Sequence, residues 1–479
     1  MNKLEQLTPK EVWAEFEKIC TIPHGSTNTK EISDYCVSVA KECGLKYRQD
    51  SDNNVIIWKD GTPGYEVDPA IILQGHIDMV CVKEPDCTKD LDKDGLDLIV
   101  EEDWLSAEKT SLGGDDGIAV AMSLALLRSK ELSHPPLVVI LTVDEEIGML
   151  GADSIDVSDV KANRMLNIDN EAEGEFLISC AGGATVTCHF PIEWTEAQGR
   201  AYTLEFTGLL GGHSGEGIIH QRINANTLFG RFLLEAPFEI AIHSMNGGEK
   251  DNAIAKIFHS VLVVSEDQAK ELEEYVDRFE KIIQEEYVLI DPGFCVILKE
   301  AQKVDRVFTD ETRSNCIHAL THLPSDIQRM MPGMKDMVET SLNLGILQTT
   351  ETEVTYTYSV RSSIQSRKEY LIRQMKDMTE LCGGTITITG VYPAWEYKKE
   401  SPFREHLISV YRNLYGTEPI LAAIHAGVEC GIFSSKIPNL DCVAIGPDME
   451  DIHTTNEKLS IPSVERTWKF ITEVLKQHI

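Results

Sequence analysis

The stretch LVVILTVDEE, residues 137–146, decides the fold. Its first seven residues are almost wholly apolar, and it stops abruptly at Asp144, Glu145 and Glu146. An unbroken Val/Ile/Leu run with no polar alternation is a strand covered on both faces, as in the centre of a parallel sheet. Three other runs have the same character, NVIIWKD (54–60), AIILQGHID (70–78) and RMLNIDNE (164–171). GIAVAMSLALLRSKEL (117–132) lies between them as an apolar-faced helix. Upstream, TPKEVWAEFEKIC predicts a helix capped by Thr8 with Pro9 at its first position. TNTKEISDYCVSVAKECG predicts a second, ended by Gly44. Strands separated by helices predict an α/β domain with a largely parallel sheet flanked by helices.

From about residue 184 the pattern changes. ATVTCHFPIEW, AYTLEFTGL, KIFHSVLVVS, FCVILKE and EVTYTYSVRSS alternate or are rich in β-formers, with amphipathic helices at 267–287 and 366–383. This predicts an α+β domain. From about 396 the first pattern returns with REHLISVYRNLYG, CVAIGP and a final helix, IPSVERTWKFITEVLKQHI. The expected organisation is therefore one domain built from 1–183 and 396–479, with a second domain, 184–395, inserted into it.

The 479 residues carry 44 Lys and Arg against 78 Asp and Glu, a net charge of −34. Such a balance argues against nucleic acid and anionic membranes as partners, because like charges repel. No apolar run is long enough for a membrane span, and the N-terminal run MNKLEQLTPKEVWAEFEKIC has no apolar signal core. Twelve cysteines without CxxC pairs read as reduced thiols, and a cytoplasmic location is expected.

In an open α/β sheet, sites lie beyond the carboxyl ends of the strands. His76 and Asp78 follow AIILQG, Glu145 and Glu146 follow LVVILTV, and Asp169 follows RMLNI. His453 follows CVAIGP in DMEDIH, and SLGGDDG (111–117) brings Asp115 and Asp116 to a helix start. Each alone has an ordinary structural reading: a satisfied polar histidine, an N-cap, a solvated acid pair. Together they converge on one sheet edge, where carboxylates repel and raise one another's pKa unless a cation neutralises them. Mixed His and carboxylate donors suit Zn, Mn or Co better than Ca or Mg. Two His and three acids exceed one tetrahedral zinc, but serve two metals that share a bridging carboxylate and a water. Residues i and i+2 share a strand face, so Asp78 can brace His76, while Glu145 and Glu146 should diverge. One of the two can bind metal while the other takes the water's proton.

GHIDMV, TSLGGDDGIAVA, TVDEEIGMLGA, LNIDNEAEGE, GGHSGEGI, AIHAGVECGIF and DIHTTNE together resemble the aminoacyl-histidine dipeptidases (Xaa-His dipeptidase, peptidase D, carnosinase-like). These belong to the aminoacylase/carboxypeptidase group of di-zinc hydrolases, and the resemblance runs the length of the chain in motif order. It implies a di-zinc exopeptidase-like catalytic domain with an inserted lid that also mediates dimerisation. It implies two divalent metal ions, zinc foremost and Mn or Co as alternatives, held by His76, Asp115, Glu146, Asp169 and His453. Asp115 would bridge them, with a cis peptide to Asp116 where relatives often carry Asn. Glu145 would be general base and then acid, and Asp78 would orient His76. In the lid, His213 would stabilise the oxyanion, and Asn252 and Arg361 would hold the substrate and its carboxylate. Gly427 would add backbone contacts. The implied reaction is hydrolysis of small dipeptides, Xaa-His such as β-alanyl-histidine first, by a metal-bridging hydroxide. N-acyl amino acid deacylation or tripeptide cleavage are the alternatives on the same machinery.

DLDKDGLDLIVE, residues 90–101, matches the letters of an EF-hand calcium loop. Its context does not match: Pro85 stands where the entering helix should run, and LIVEEDWLSAE reads as a β-hairpin. No P-loop, dinucleotide fingerprint or GxSxG element is present, which disfavours nucleotide-dependent and serine-hydrolase chemistry.

Overall fold

A computed structural model describes residues 4–478. Met1, Asn2 and Lys3 of the N-terminal run and Ile479 of the final one lie outside the described residues. The chain divides into two units: one comprises the chain through Ser179, Tyr397–Ala423 and the chain from Val428 onwards; the other comprises Cys180–Glu396 and Ile424–Gly427.

The first unit is built on an eight-stranded sheet. Its order is Lys46–Gln49, Val55–Lys59, Leu137–Thr142, Ile71–His76, Arg164–Asn167, Asp441–Ala444, Glu175–Cys180, Ile420–Ile424. The pairs joining Leu137–Thr142, Ile71–His76, Arg164–Asn167 and Asp441–Ala444 are parallel. Antiparallel pairs flank them, as between Val55–Lys59 and Leu137–Thr142. Every residue of Leu137–Thr142 and Ile71–His76 is buried, which is why those runs carry no polar alternation. Ile71 faces Leu137 and His76 faces Thr142 in register, so neighbouring strands end together.

The predicted helices form at Lys10–Ile19, Lys30–Glu42, Gly114–Arg128, Pro402–Tyr415 and Ile461–Lys476. The first differs in detail. It begins after a cis Thr8-Pro9 bond with no side-chain cap, so Thr8 does not cap it. Gly44, at φ +67°, follows the second helix as expected. Trp13, Phe16, Ile118, Leu124, Val139, Phe403 and Ile471 belong to this unit's apolar core.

The second unit carries a separate sheet built from antiparallel pairs. Its order is Cys295–Glu300, Arg200–Thr207, Phe258–Val264, Ala241–Gly247, Val338–Thr349, Glu353–Ser362, Gly182–Pro191, Thr385–Tyr392. Ala225–Glu235, Ala269–Glu286, Asp310–His322 and Gln365–Leu381 are its longer helices. An aromatic cluster centred on Phe206, with Phe229, Phe232, Phe258, Phe279 and Phe294 around it, fills the core.

The acidic 90–101 stretch forms a turn followed by the antiparallel pair Leu98–Glu101 and Trp104–Ala107, the hairpin expected instead of an EF-hand. None of the twelve cysteines forms a disulfide.

Candidate metal centre

Five chain segments meet at the carboxyl edge of the parallel strands. His76 is the last residue of its strand and is 1% exposed. Its Nδ1 donates to the backbone carbonyl of Asp78 at 3.0 Å. That bond places the proton on Nδ1 and leaves the Nε2 lone pair free for a ligand. Nε2 lies 3.1 Å from Asp115 Oδ1 and 3.7 Å from Asp169 Oδ1. The other oxygen of Asp115, Oδ2, lies 3.0 Å from Nε2 of His453, and that nitrogen is 2.9 Å from Glu146 Oε1. One carboxylate thus stands between two histidines, each with a further acid beside it.

Asp115 and Asp116 are joined by a cis peptide, and the two side chains part. Oδ2 of Asp116 accepts the His76 backbone N–H at 3.2 Å. Ligand atoms of His76, Asp115 and Glu146 lie within 4.8 Å of one another, and so do those of His76, Asp116 and Asp169. Only Asp115, however, offers an oxygen to each histidine. Gly75 is needed beneath this arrangement, because a Cβ there would sit 2.4 Å from Asp116 Oδ2.

Glu145 and Glu146 lie past the end of their strand, which stops at Thr142, in a turn where Glu145 O accepts from Gly148 and Met149. Strand alternation therefore does not separate them; the turn does. Both backbone amides point at Asp78, Glu145 N to Oδ1 at 3.1 Å and Glu146 N to Oδ2 at 3.4 Å. Ser26 Oγ also donates to Asp78 Oδ2, at 2.9 Å. Asp78 thus braces His76 chiefly through its backbone carbonyl, with its carboxylate 3.4 Å from Nδ1, and uses that carboxylate to hold the glutamate turn. Asp144, given no role by the sequence, has φ +56° and accepts the Thr27 amide at 2.6 Å.

The electrostatics call for positive charge. Burial works against a charged His76, yet Asp115 and Asp78 lift its pKa well above the ordinary histidine value. Hydrogen bonds to Asp115 and Glu146 raise His453 to about 10. Burial, with Asp116 nearby, pushes Asp169 up. Burial, reinforced by Glu429, Glu146 and Asp115, pushes Glu145 up to about 8. Two imidazole nitrogens among carboxylate oxygens form a donor set that fits borderline divalent cations.

A buried polar layer lies behind this edge, and the sequence alone did not reveal it. Glu429, fully buried, accepts from Gln74 Nε2 and from Thr142 Oγ1, the latter at 2.7 Å. Gln74 Oε1 accepts from Asn167 Nδ2 at 2.6 Å. Gln74 sits two residues before His76 and Asn167 two before Asp169, so polar residues inside buried strands were the available signal.

In the second unit, His213 pairs with Ala253 in a short ladder, which brings Asn252 beside it; Ser214 N donates to the Asn252 carbonyl at 2.8 Å. Arg361 is 7% exposed and donates to the Tyr392 hydroxyl at 3.1 Å. Burial lowers the pKa of His213, and Arg361 lowers it further. His425, to which the AIHAGVECG motif had assigned nothing, joins them. Burial, with Arg361 next, lowers its pKa to about 3, and its Nε2 is 2.7 Å from Ser341 Oγ.

Residues 72–477 match the model of peptidase family M20/M25/M40. The chain belongs to that family. The peptidase is 34% identical over 482 residues to the cytosol non-specific dipeptidase of Escherichia coli strain K12, covering 100% of this chain and 99% of that one. It is equally similar, at 34% identity, to the crystal structure of aminoacylhistidine dipeptidase from Vibrio alginolyticus. That match covers 99% and 98% of the two chains at a TM-score of 0.92. Aminopeptidase PepT from Bacillus cereus shares the fold at 15% identity, with a TM-score of 0.58 over 98% of both chains. The peptidase is thus a hydrolase of peptide bonds from a metal-dependent family. None of its described helices is long and apolar enough to cross a membrane.

Proposed function

We propose that this peptidase is a dipeptidase working with two divalent cations, zinc foremost. The carrying observation is the Asp115 carboxylate, which places one oxygen against each of His76 and His453. On this reading Asp115 is shared, His76 and Asp169 complete one cation's ligands, and Glu146 and His453 complete the other's. Such a pair, when bound, supplies Lewis acidity and lowers the pKa of water.

Other residues divide the remaining work. Glu145 takes the proton of the attacking water and delivers it to the leaving amine. Its burial favours the protonated form it needs midway, and the Asp78 hydrogen bond fixes its backbone. His213 donates to the developing oxyanion, and burial beside Arg361 disfavours a competing charge on its ring. Arg361 meets the substrate's terminal carboxylate with its planar fork, and Asn252 adds an amide contact.

Dipeptides are the substrate class, with Xaa-His leading. The names of the two 34%-identical relatives support this, one a non-specific dipeptidase and the other an aminoacylhistidine dipeptidase. The cytosolic relative also supports a cytoplasmic location. A homodimer through the second unit is supported by its edge strand Thr385–Tyr392, which exposes Ile388 and Val391. The test is a panel of Ala-His, Gly-Leu, an N-acetyl amino acid and a tripeptide, run on metal-stripped protein reloaded with Zn, Mn or Co. Cleavage of the dipeptides with Ala-His preferred is expected. Preference for the acylated amino acid or the tripeptide would replace the reading.

A further inference from the structure

We propose that Glu457 is a positioning residue of the metal centre, fixing through the backbone where Asp115 presents its carboxylate. The inference rests on the reading of Asp115 as the shared ligand.

Glu457 is 3% exposed, and neither carboxylate oxygen is spare. Oε2 accepts the backbone N–H groups of Leu112 at 2.8 Å and Gly113 at 3.2 Å. Oε1 accepts those of Gly114 at 2.8 Å and Asp115 at 3.5 Å. These are four consecutive amides, at the start of a helix whose own residues provide no side-chain cap. Free amides at a helix start need acceptors, and a carboxylate there also meets the positive end of the helix dipole.

The segment it holds has no regular geometry of its own. Gly113 is left-handed at φ +66°, and Asp115 (φ −81°, ψ 107°) and Asp116 (φ −116°, ψ 29°) are not helical. Nothing periodic dictates where the Asp115 side chain emerges, so the four hydrogen bonds do. Glu457 also follows His453 by four residues, with its amide bonded to Thr454 O at 3.3 Å. One short segment therefore carries a histidine of the centre and the brace of the acid that faces it.

Two variants test this. In Glu457→Gln, either amide orientation turns one accepting oxygen into a donor aimed at a backbone N–H. The isosteric change should therefore fail much as Glu457→Ala does. The measurements are Zn affinity by competition with a chromophoric chelator, the visible spectrum of the Co(II)-loaded protein, and kcat and KM on Ala-His. Loss of a brace behind a ligand typically costs ~10–100-fold in affinity. A fall of that size in Glu457→Gln is expected, with an altered Co(II) spectrum, and a kcat loss of about tenfold with KM little changed. Wild-type affinity and Co(II) spectrum in folded Glu457→Gln would overturn the proposal, even if Glu457→Ala did not fold. Wild-type protein that bound no divalent cation would instead overturn the metal reading, and this inference with it.

Discussion

The backbone amide of Glu145 donates to Oδ1 of Asp78 at 3.1 Å. Asp78 also bonds His76 through its own carbonyl, so one residue holds a histidine of the centre and the turn that carries both glutamates. Asp78→Ala should therefore damage two things at once. The variant keeps the carbonyl that braces His76 but frees the glutamate turn. Cation affinity should fall ~10–100-fold through Glu146, and kcat should fall further through Glu145. Titration with a chelator separates the two, since saturating metal should restore only the first. Full recovery of kcat at saturating metal would show that Asp78 does not hold the base.

Glu145→Gln tests the base alone. It should bind both cations with near wild-type affinity and lose about 10²–10⁴-fold in kcat, the usual worth of a positioned proton acceptor. Metal content by elemental analysis, beside turnover, checks it. Loss of metal from this variant would mean that the two glutamates have been assigned the wrong way round.

Glu429 gives a pH dependence. Burial raises its carboxyl from 4.5 to about 7. In the native state it keeps its proton after the unfolded chain has released it, so its own contribution to native stability is greatest below about pH 4.5 and is lost as pH rises through 7. Glu429→Gln removes that titration while keeping an acceptor for Thr142 and Gln74. In metal-stripped protein its melting temperature should match wild type near pH 4.5 and exceed it at about pH 8. Parallel melting curves for the two proteins across that range would refute it.

Arg361→Lys should raise KM for dipeptides more than it lowers kcat, because an ammonium cannot reproduce a bidentate fork. Dipeptide amides, which lack the carboxylate, should distinguish the two proteins far less. Equal losses on acid and amide would remove Arg361 from carboxylate recognition.

Removing the cations leaves His76 and His453 to balance the acids with protons. Chelated protein should melt at a lower temperature than the loaded form, by a margin that grows with free metal concentration. A melting temperature independent of metal would argue against bound cations in the native state.

Much of the first unit was legible because burial on both faces forces an unbroken apolar run, as in Leu137–Thr142 and Ile71–His76. Polar residues at the ends of such runs stand out, which is what marks His76, Glu145, Glu146 and Asp169. Thr8 was misread because a cap depends on how the chain enters the helix, and a Thr-Pro pair does not specify that. Strand alternation was the wrong ground for separating Glu145 from Glu146, because a turn positions them. The tasks of Glu457 and Glu429, which stand in the motifs DIHTTNE and AIHAGVECGIF, were hidden for another reason. Each is an ordinary acid whose partners are amides or buried polar groups far away in sequence. Only the folded chain brings them together.

The position of the Asp441–Ala444 strand has a consequence for synthesis. It lies inside the first unit's sheet, between Arg164–Asn167 and Glu175–Cys180, although it is made hundreds of residues after either. On the ribosome, the stretch Cys180–Glu396 can emerge and nearly complete its own core while the earlier sheet still has an open slot. Until its last segment arrives, the nascent chain exposes the unpaired edges of Arg164–Asn167 and Glu175–Cys180. Unpaired strand edges of that kind are templates for association with other chains, which makes this interval one of exposure to aggregation.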